Sequence, residues 1–263
     1  MPSRPFPAFL LVLMTAAGCA DPQAGSQAAS RVPYSIPEQP EIGTGYTEKP
    51  GWATERFAVA AANPLATDAG FQVLDAGGSA VDAAIAVQMV LTLVEPQSSG
   101  IGGGTFLLHW DGSEVAALDG RERAPAGAGE DLFLGPDGNP IPFGDAVRSG
   151  LSVGVPGTIA MLKVAHDRFG RLPWAELFTP AITLASEGFA ISPRLHELLQ
   201  ADQSLRDDDI ARALYYDASG NAHPVGYTLR NPALAEVLRR GAAGGPGAFY
   251  PGPGGESIVP RVP

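Results

Sequence analysis

The pattern of hydrophobic and polar residues predicts two helices near the start of the folded part of the chain. Residues 79–93 are apolar on almost every face, which indicates a buried helix. Ser79 is a favoured N-cap for it, and Asp82 stands where a carboxylate stabilises a helix N-terminus. An earlier helix is predicted over residues 64–76, because Asn63 can cap it and proline is favoured at the first helical position.

Three short apolar runs predict strands. Residues 57–61 form a candidate buried strand just before the first helix. Residues 105–110 and 114–118 flank the turn sequence Asp-Gly-Ser at 111–113, which is typical of a β-hairpin.

Helical periodicity dominates the rest of the chain, at residues 158–169, 174–187, 193–205 and 232–240. Residues 241–255 are so rich in glycine and proline that we expect them not to pack. Strands covered by helices predict an α/β or α+β layered domain.

Residues 94–104 read Val-Glu-Pro-Gln-Ser-Ser-Gly-Ile-Gly-Gly-Gly. Glycine has no Cβ and tolerates positive φ, so this stretch predicts a backbone that passes close to another group. Residues 100–102 begin like the dinucleotide motif G-x-G-x-x-G, but that motif requires a strand before it and a helix after it. Here the helix comes first, so a tight helix-to-strand connection is favoured over a nucleotide site.

Short motifs follow one another around this stretch: Asn63-Pro64-Leu65-Ala66-Thr67, Asp75-Ala76-Gly77-Gly78-Ser79-Ala80-Val81-Asp82-Ala83-Ala84, Glu95-Pro96-Gln97-Ser98-Ser99-Gly100-Ile101-Gly102-Gly103-Gly104, Asp119-Gly120-Arg121-Glu122 with Ala124-Pro125, Gly154-Val155-Pro156-Gly157-Thr158 and Phe169-Gly170. Together they resemble the opening of a gamma-glutamyltransferase, also called gamma-glutamyltranspeptidase or glutathione hydrolase. The resemblance covers residues 57–250, and an ordered series of motifs is more specific than any one of them.

The resemblance implies an α+β fold that is part of the four-layer αββα sandwich of N-terminal-nucleophile hydrolases. In that family a precursor cleaves itself ahead of a threonine, which attacks γ-glutamyl compounds such as glutathione. The acyl-enzyme then passes its glutamyl group to water or an amino acid. The threonine begins a small subunit made from the same precursor. This chain would therefore be the N-terminal part of the large subunit, incomplete without the small subunit and without a catalytic residue of its own.

Arg121 is the candidate substrate-binding residue. Its position matches the family's arginine that binds the α-carboxylate of the glutamyl group, and a guanidinium can hold a carboxylate through two parallel hydrogen bonds. The alternative is a surface arginine paired with Asp119 or Glu122, an interaction that contributes about 0 to 1 kcal/mol. Arg123 is the nearest rival for the same role.

Two other functions stay open at this point. The chain could be a non-catalytic binding or scaffold protein derived from the family. It could also be a serine hydrolase, because residues 150–154 fit the G-x-S-x-G motif around Ser152. That motif needs a strand leading into the serine, and residues 144–149 do not form a convincing strand. Ser98 and Ser99 have no base nearby, so they are interpreted as turn residues.

Neither metal nor cofactor chemistry is indicated. His109, His166, His196 and His223 are scattered without the spacing of a metal motif. The acidic run at residues 207–209 is interpreted as a solvated helix cap rather than a calcium site. The net charge of −11, from 28 acidic and 17 basic residues, argues against nucleic-acid binding through a basic surface.

The first residues indicate export. Residues 1–19 combine an early arginine, an apolar core and small residues before Cys19, which predicts a signal peptide with a lipobox; ordinary cleavage near Ala20 is the alternative. Cys19 is the only cysteine, and lipidation would explain an unpaired thiol in an exported protein. Residues 20–55 are predicted to be a flexible linker, and residues 56–263 a partial large-subunit domain. The expected location is the bacterial periplasm or cell surface, with the membrane contacted through the lipid anchor.

Overall fold

Two adjacent helices, α1 (Pro64–Asp75) and α2 (Ala80–Val94), begin the fold in the computed structural model, which describes residues 53–202, 204–251 and 255–256. The side-chain oxygen of Asn63 accepts a hydrogen bond from the backbone N–H of Leu65 at 3.0 Å, as the sequence predicts. Ser79 and Asp82 form a reciprocal capping box at the start of α2. Both predicted helix starts are therefore confirmed.

Helix α2 lies in the centre of the core, as its apolar sequence predicts. Ile85, Met89 and Val90 are fully buried, and the helix contacts α1 and two later helices, those at residues 158–169 and 179–187. Asp82 is also fully buried, and its Oδ2 accepts hydrogen bonds from the backbone N–H groups of Arg171 and Leu172 at 2.9 and 3.1 Å. This carboxylate therefore fastens the helix to a loop far along the chain, since a buried charge is stable only when it is hydrogen-bonded.

The predicted hairpin is confirmed as β1 (Thr105–Trp110) paired antiparallel with β2 (Val115–Gly120). Asp111 accepts hydrogen bonds from the backbone N–H groups of Glu114 and Ser113, which hold its pKa at about 2. Leu107 and Leu118 are paired on the inner face. The outer face exposes large apolar side chains: Phe106, Leu108, Trp110 and Val115.

The remaining regular elements among the described residues are six helices, one further pair of short strands and four short 3-10 turns. The helices are α3 (Phe143–Arg148), α4 (Thr158–Phe169), α5 (Thr179–Glu187), α6 (Pro193–Ala201), α7 (Asp209–Tyr215) and α8 (Pro232–Gly244). Strands β3 (Phe189–Ala190) and β4 (Thr228–Leu229) pair antiparallel. The 3-10 turns are Gly150–Ser152, Trp174–Phe178, Ser204–Arg206 and Gly245–Ala248. None of the described helices is long and apolar enough to cross a membrane.

Several predicted elements differ from the structure. Residues 57–61 alternate between partly buried and exposed but pair with no strand among the described residues, so the strand prediction is wrong. Residues 174–187 divide into a 3-10 turn and α5, whose second residue, Pro180, has no N–H to continue the preceding hydrogen bonds. Helix α6 ends at Ala201 because the Asp202 carboxylate accepts the backbone N–H of Ser204.

The glycine-rich end of the chain does pack, contrary to the prediction. Helix α8 continues to Gly244, and Gly241 is buried where a Cβ would lie 2.5 Å from the ring of Phe249. The absence of a side chain therefore allows the close approach of Phe249 to the helix. Helix α3 has no counterpart in the sequence pattern, and for α7 the sequence indicates only the acidic cap at its start, because both helices are short and partly exposed.

The predicted signal peptide at residues 1–19, with Cys19, lies outside the described residues, as does the linker up to residue 52. The domain boundary at residue 56 stays a prediction.

Candidate functional site

The glycine-rich loop joins the end of α2 to the start of β1. It begins at Glu95, a residue that is 2% exposed and whose carboxylate accepts hydrogen bonds from Gln97 Nε2 at 2.6 Å and Arg194 Nε at 3.0 Å. The backbone N–H groups of Ser98 and Ser99 both donate to the Glu95 carbonyl. The two serines therefore shape a turn, as predicted, and the loop is fixed at its first residue.

The far end of the loop is held by the start of α4. The carbonyl oxygen of Gly103 accepts hydrogen bonds from the backbone N–H groups of Gly157 and Thr158 at 3.0 and 3.2 Å, and from Thr158 Oγ1 at 2.9 Å. Thr158 is fully buried, so these bonds are shielded from water. Gly157 in turn rests on β2, where a Cβ would overlap the carbonyl oxygen of Gly120.

Arg121 follows β2 directly and lies on this framework. Its backbone N–H donates to the Asp119 carboxylate at 2.8 Å, while its guanidinium Nε lies 3.4 Å from Glu122 Oε2. The Arg121 side chain is 69% exposed, so this ion pair is weak, although Glu122 Oε2 itself is buried and has no hydrogen-bond partner among the described residues. The guanidinium thus stands at the surface with most of its hydrogen-bonding capacity open to a ligand, on a backbone that is fixed.

The group that the glycine loop approaches is the side chain of Glu122. A Cβ on Gly104 would overlap Glu122 Oε2 and would lie 2.9 Å from the Cα of Arg121. A Cβ on Gly154 would lie 2.7 Å from the Cβ of Glu122. Glycine at these positions therefore makes room for the carboxylate beside Arg121, which explains in part why the loop is so rich in glycine.

Arg123 is held by its backbone rather than by its side chain. Its N–H donates to the Val155 carbonyl at 3.2 Å, and the Val155 N–H donates back to the Arg123 carbonyl at 2.8 Å. This antiparallel bridge aligns the segment from Arg121 to Arg123 with the segment that leads into α4. The three elements that meet at the site are thus the loop, the end of β2 and the start of α4.

Ser152 does not occupy a nucleophile elbow. The preceding residues form helix α3 rather than a strand, and Ser152 ends the 3-10 turn Gly150–Ser152. Its hydroxyl donates to backbone carbonyls of Val147 and Ser149. The serine-hydrolase hypothesis is therefore wrong, since the motif functions only where a buried strand delivers the serine.

The four histidines serve packing and backbone contacts. His109 stacks on Phe169, and the ring of His223 stacks on Tyr227. His166 Nε2 bonds the Leu172 carbonyl, and His196 Nδ1 bonds the His223 carbonyl. In the part of the chain that the structure describes, no three His, Cys, Asp or Glu side chains are grouped to hold a metal ion.

In the acidic run at residues 207–209, Asp208 caps α7 by accepting the backbone N–H of Ala211, as predicted.

Sequence reasoning identified Arg121 and the glycine loop but missed the pairs that hold them. Glu95 and Arg194 are 99 residues apart, and Gly103 and Thr158 are 55 apart. Contacts at such separations leave no periodic pattern in one sequence. Only the run of glycines signalled that a close neighbour existed.

Comparison with known proteins agrees with this arrangement. Residues 66–262 match the family model described as Gamma-glutamyltranspeptidase. The chain belongs to the gamma-glutamyltranspeptidase family. This confirms the resemblance drawn from the ordered motifs.

Individual relatives support the same assignment. The chain is 41% identical to the glutathione hydrolase proenzyme of Bacillus subtilis (strain 168) over 196 residues, which are 74% of this chain and 33% of that protein. It is 40% identical to glutathione hydrolase 3 of Arabidopsis thaliana over 211 residues, 80% of this chain and 32% of that protein. The chain thus spans about a third of the length of these relatives.

The fold is also shared with a solved family member. The crystal structure of Helicobacter pylori gamma-glutamyltranspeptidase matches with a TM-score of 0.75 and 32% identity, covering 80% of this chain and 60% of that one. The predicted α+β class, a partial sandwich of the N-terminal-nucleophile hydrolase type, is confirmed by this likeness.

Proposed function

We propose that this chain supplies the carboxylate-binding part of a gamma-glutamyltransferase or glutathione hydrolase, with Arg121 as the residue that binds the α-carboxylate of the γ-glutamyl group. The observation that carries the proposal is the combination of an exposed guanidinium and a fixed backbone at the end of β2. Because the backbone is fixed, the planar guanidinium of Arg121 can donate two parallel hydrogen bonds to a carboxylate without a rearrangement of the site.

Binding at Arg121 would orient the substrate rather than break its bond. In the proposed reaction a threonine hydroxyl attacks the γ-carbonyl, an ester to the enzyme forms, and the amine of the substrate leaves. Water or an amino acid then takes the glutamyl group from the ester. The threonine is expected from the small subunit of the proenzyme, in the part of the relatives that this chain does not span.

The outer face of the β1–β2 hairpin supports the proposal that the small subunit packs on this chain. Phe106, Leu108, Trp110 and Val115 are between 60% and 77% exposed and lie together on one side of the two strands. Apolar surface of this size on a sheet is normally covered by another layer. A second sheet contributed by the small subunit would bury it, as the four-layer arrangement requires.

The proposal is tested by assaying the full-length protein for release of p-nitroaniline from γ-glutamyl-p-nitroanilide. Changing Arg121→Lys removes the bidentate fork but keeps the charge, so we expect kcat/KM to fall about 10- to 150-fold, the equivalent of a charged hydrogen bond of about 1.5 to 3 kcal/mol. Arg123→Lys should have a much smaller effect.

Arg148→Lys is the matched control, because Arg148 is also exposed and pairs with a nearby carboxylate, that of Asp145. Equal kcat/KM in the Arg121→Lys and Arg148→Lys proteins would rule out Arg121 as the carboxylate-binding residue. A full-length protein with no turnover of any γ-glutamyl compound would favour a non-catalytic binding or scaffold role.

A further inference from the structure

The hydroxyl of Tyr250 lies at the N-terminus of α4, far from Tyr250 in sequence. It donates a hydrogen bond to the Pro156 carbonyl at 2.7 Å, across 94 residues, and accepts one from the backbone N–H of Ala160 at 3.3 Å, across 90 residues. The N-cap residue of this helix is Gly157, which has no side chain to accept the free N–H groups of the first turn. Tyr250 therefore performs the task of a capping side chain from a distant part of the chain.

The segment that Tyr250 holds is the one that supports Arg121. Gly157 lies against the end of β2, where a Cβ would be 2.7 Å from the Arg121 carbonyl oxygen. Val155, two residues earlier, exchanges both backbone hydrogen bonds with Arg123. Any shift of the turn before α4 would therefore move the backbone on both sides of the Arg121 side chain.

Tyr250 is itself held in position, so it can restrict the motion of the turn before α4. The neighbouring Phe249 packs its ring against Gly241 of α8, which anchors the backbone at this point. Tyr250 is partly buried, and burial raises the pKa of its phenol still further above neutral pH, where the hydroxyl is protonated and can donate.

We propose that Tyr250 is a positioning residue for the Arg121 site, and that its hydroxyl sets the position of residues 155–158 and, through them, of the Arg121 backbone. The structural part of this inference stands on the contacts above, while its effect on substrate rests on the proposed function. Bidentate recognition tolerates only small errors in angle and distance, so a looser backbone weakens carboxylate binding.

The test compares Tyr250→Phe with Tyr216→Phe. Tyr216 is a matched control, because its hydroxyl also makes two backbone hydrogen bonds, to the carbonyls of Leu199 and Asp202. Each change removes one oxygen and keeps the ring, so the fold is expected to survive. Far-UV circular dichroism checks that both variants keep the helix content of the wild type.

Amide hydrogen exchange on the full-length protein is the first measurement. In Tyr250→Phe we expect exchange about three- to tenfold faster at the amides of Arg123, Val155 and Gly157, in line with the loss of one typical hydrogen bond. Tyr216→Phe should leave these amides unchanged. Unaltered exchange in Tyr250→Phe, or equal acceleration at these amides in both variants, would overturn the inference.

Steady-state kinetics on the full-length protein are the second measurement. A positioning role raises KM for γ-glutamyl-p-nitroanilide about three- to tenfold in Tyr250→Phe and leaves kcat within about twofold, because binding is lost equally in the ground and transition states. An unchanged KM alongside faster exchange would also overturn it. If the wild-type protein has no γ-glutamyl activity, the proposed function fails, and the exchange measurement alone decides whether Tyr250 positions the Arg121 backbone.

Discussion

Glu95 and Arg194 form a salt bridge of 3.0 Å in which the carboxylate is almost fully buried, although the two residues are 99 positions apart. The pair joins the first residue of the glycine-rich loop to helix α6. Since an unpaired buried charge is costly, the position of the loop is coupled to the packing of helix α6.

Replacing Arg194 with methionine should destabilise the protein by about 3 kcal/mol, the lower end of the range for breaking a buried ion pair, because Arg194 is itself partly exposed. The measurement is the free energy of unfolding from urea titration. Arg148→Met removes an exposed pair instead and should change this free energy by less than about 0.5 kcal/mol. Similar losses in the two variants would mean that the Glu95 pair does not stabilise the fold.

Two glycines of the loop should respond differently to alanine. Gly104→Ala places a Cβ against the Glu122 carboxylate and the Arg121 Cα, so we expect a loss of about 1 to 3 kcal/mol in unfolding free energy. Gly102→Ala meets nothing within 4 Å and has no positive φ, so its effect should stay below about 0.5 kcal/mol. Thermal or urea unfolding of both variants checks the difference.

A second substitution can test whether the Glu122 side chain causes the loss of stability in Gly104→Ala. Shortening Glu122 to alanine in the Gly104→Ala background removes one of the two overlaps, so part of the lost stability should return. No recovery would place the whole conflict at the Arg121 backbone.

The hairpin turn should contribute a pH-dependent stability. The Glu114 and Ser113 N–H groups hold the pKa of Asp111 at about 2, below its ordinary value of 3.8. A carboxyl whose pKa is lower in the folded state stabilises the fold above its unfolded pKa and loses this effect as the pH falls through the folded value. The melting-temperature difference between wild type and Asp111→Asn should therefore be largest at pH 5 and shrink as the pH falls through about 2. A difference that does not change over this interval would contradict the shift.

Lipidation at Cys19 remains a prediction from the sequence and is tested by membrane fractionation. A Cys19→Ala variant should move to the soluble fraction or keep its signal peptide, since acyl chains bind a bilayer with about 0.8 kcal/mol per buried CH2. Identical fractionation of the two proteins would favour an ordinary signal peptide.

Local signals in the sequence determined the elements whose ends are set by neighbouring residues. Asn63 and Ser79 cap their helices, and the Asp111 turn closes the hairpin, because each of these interactions spans at most a few residues. The ordered motifs around the glycine loop likewise identified the family. The strand at residues 57–61 was predicted wrongly for the complementary reason: a short apolar run indicates burial but does not supply a hydrogen-bonding partner.

The tertiary structure alone decided what surrounds Arg121. The sequence indicated that the glycine loop passes close to something, but only the fold shows that this is Glu122, eighteen positions beyond Gly104. The contacts of Tyr250 with Pro156 and of Glu95 with Arg194 join segments more than 90 residues apart. Such pairs form only after the helices have packed, because the entropy of closing these long loops must first be offset by burial of the core.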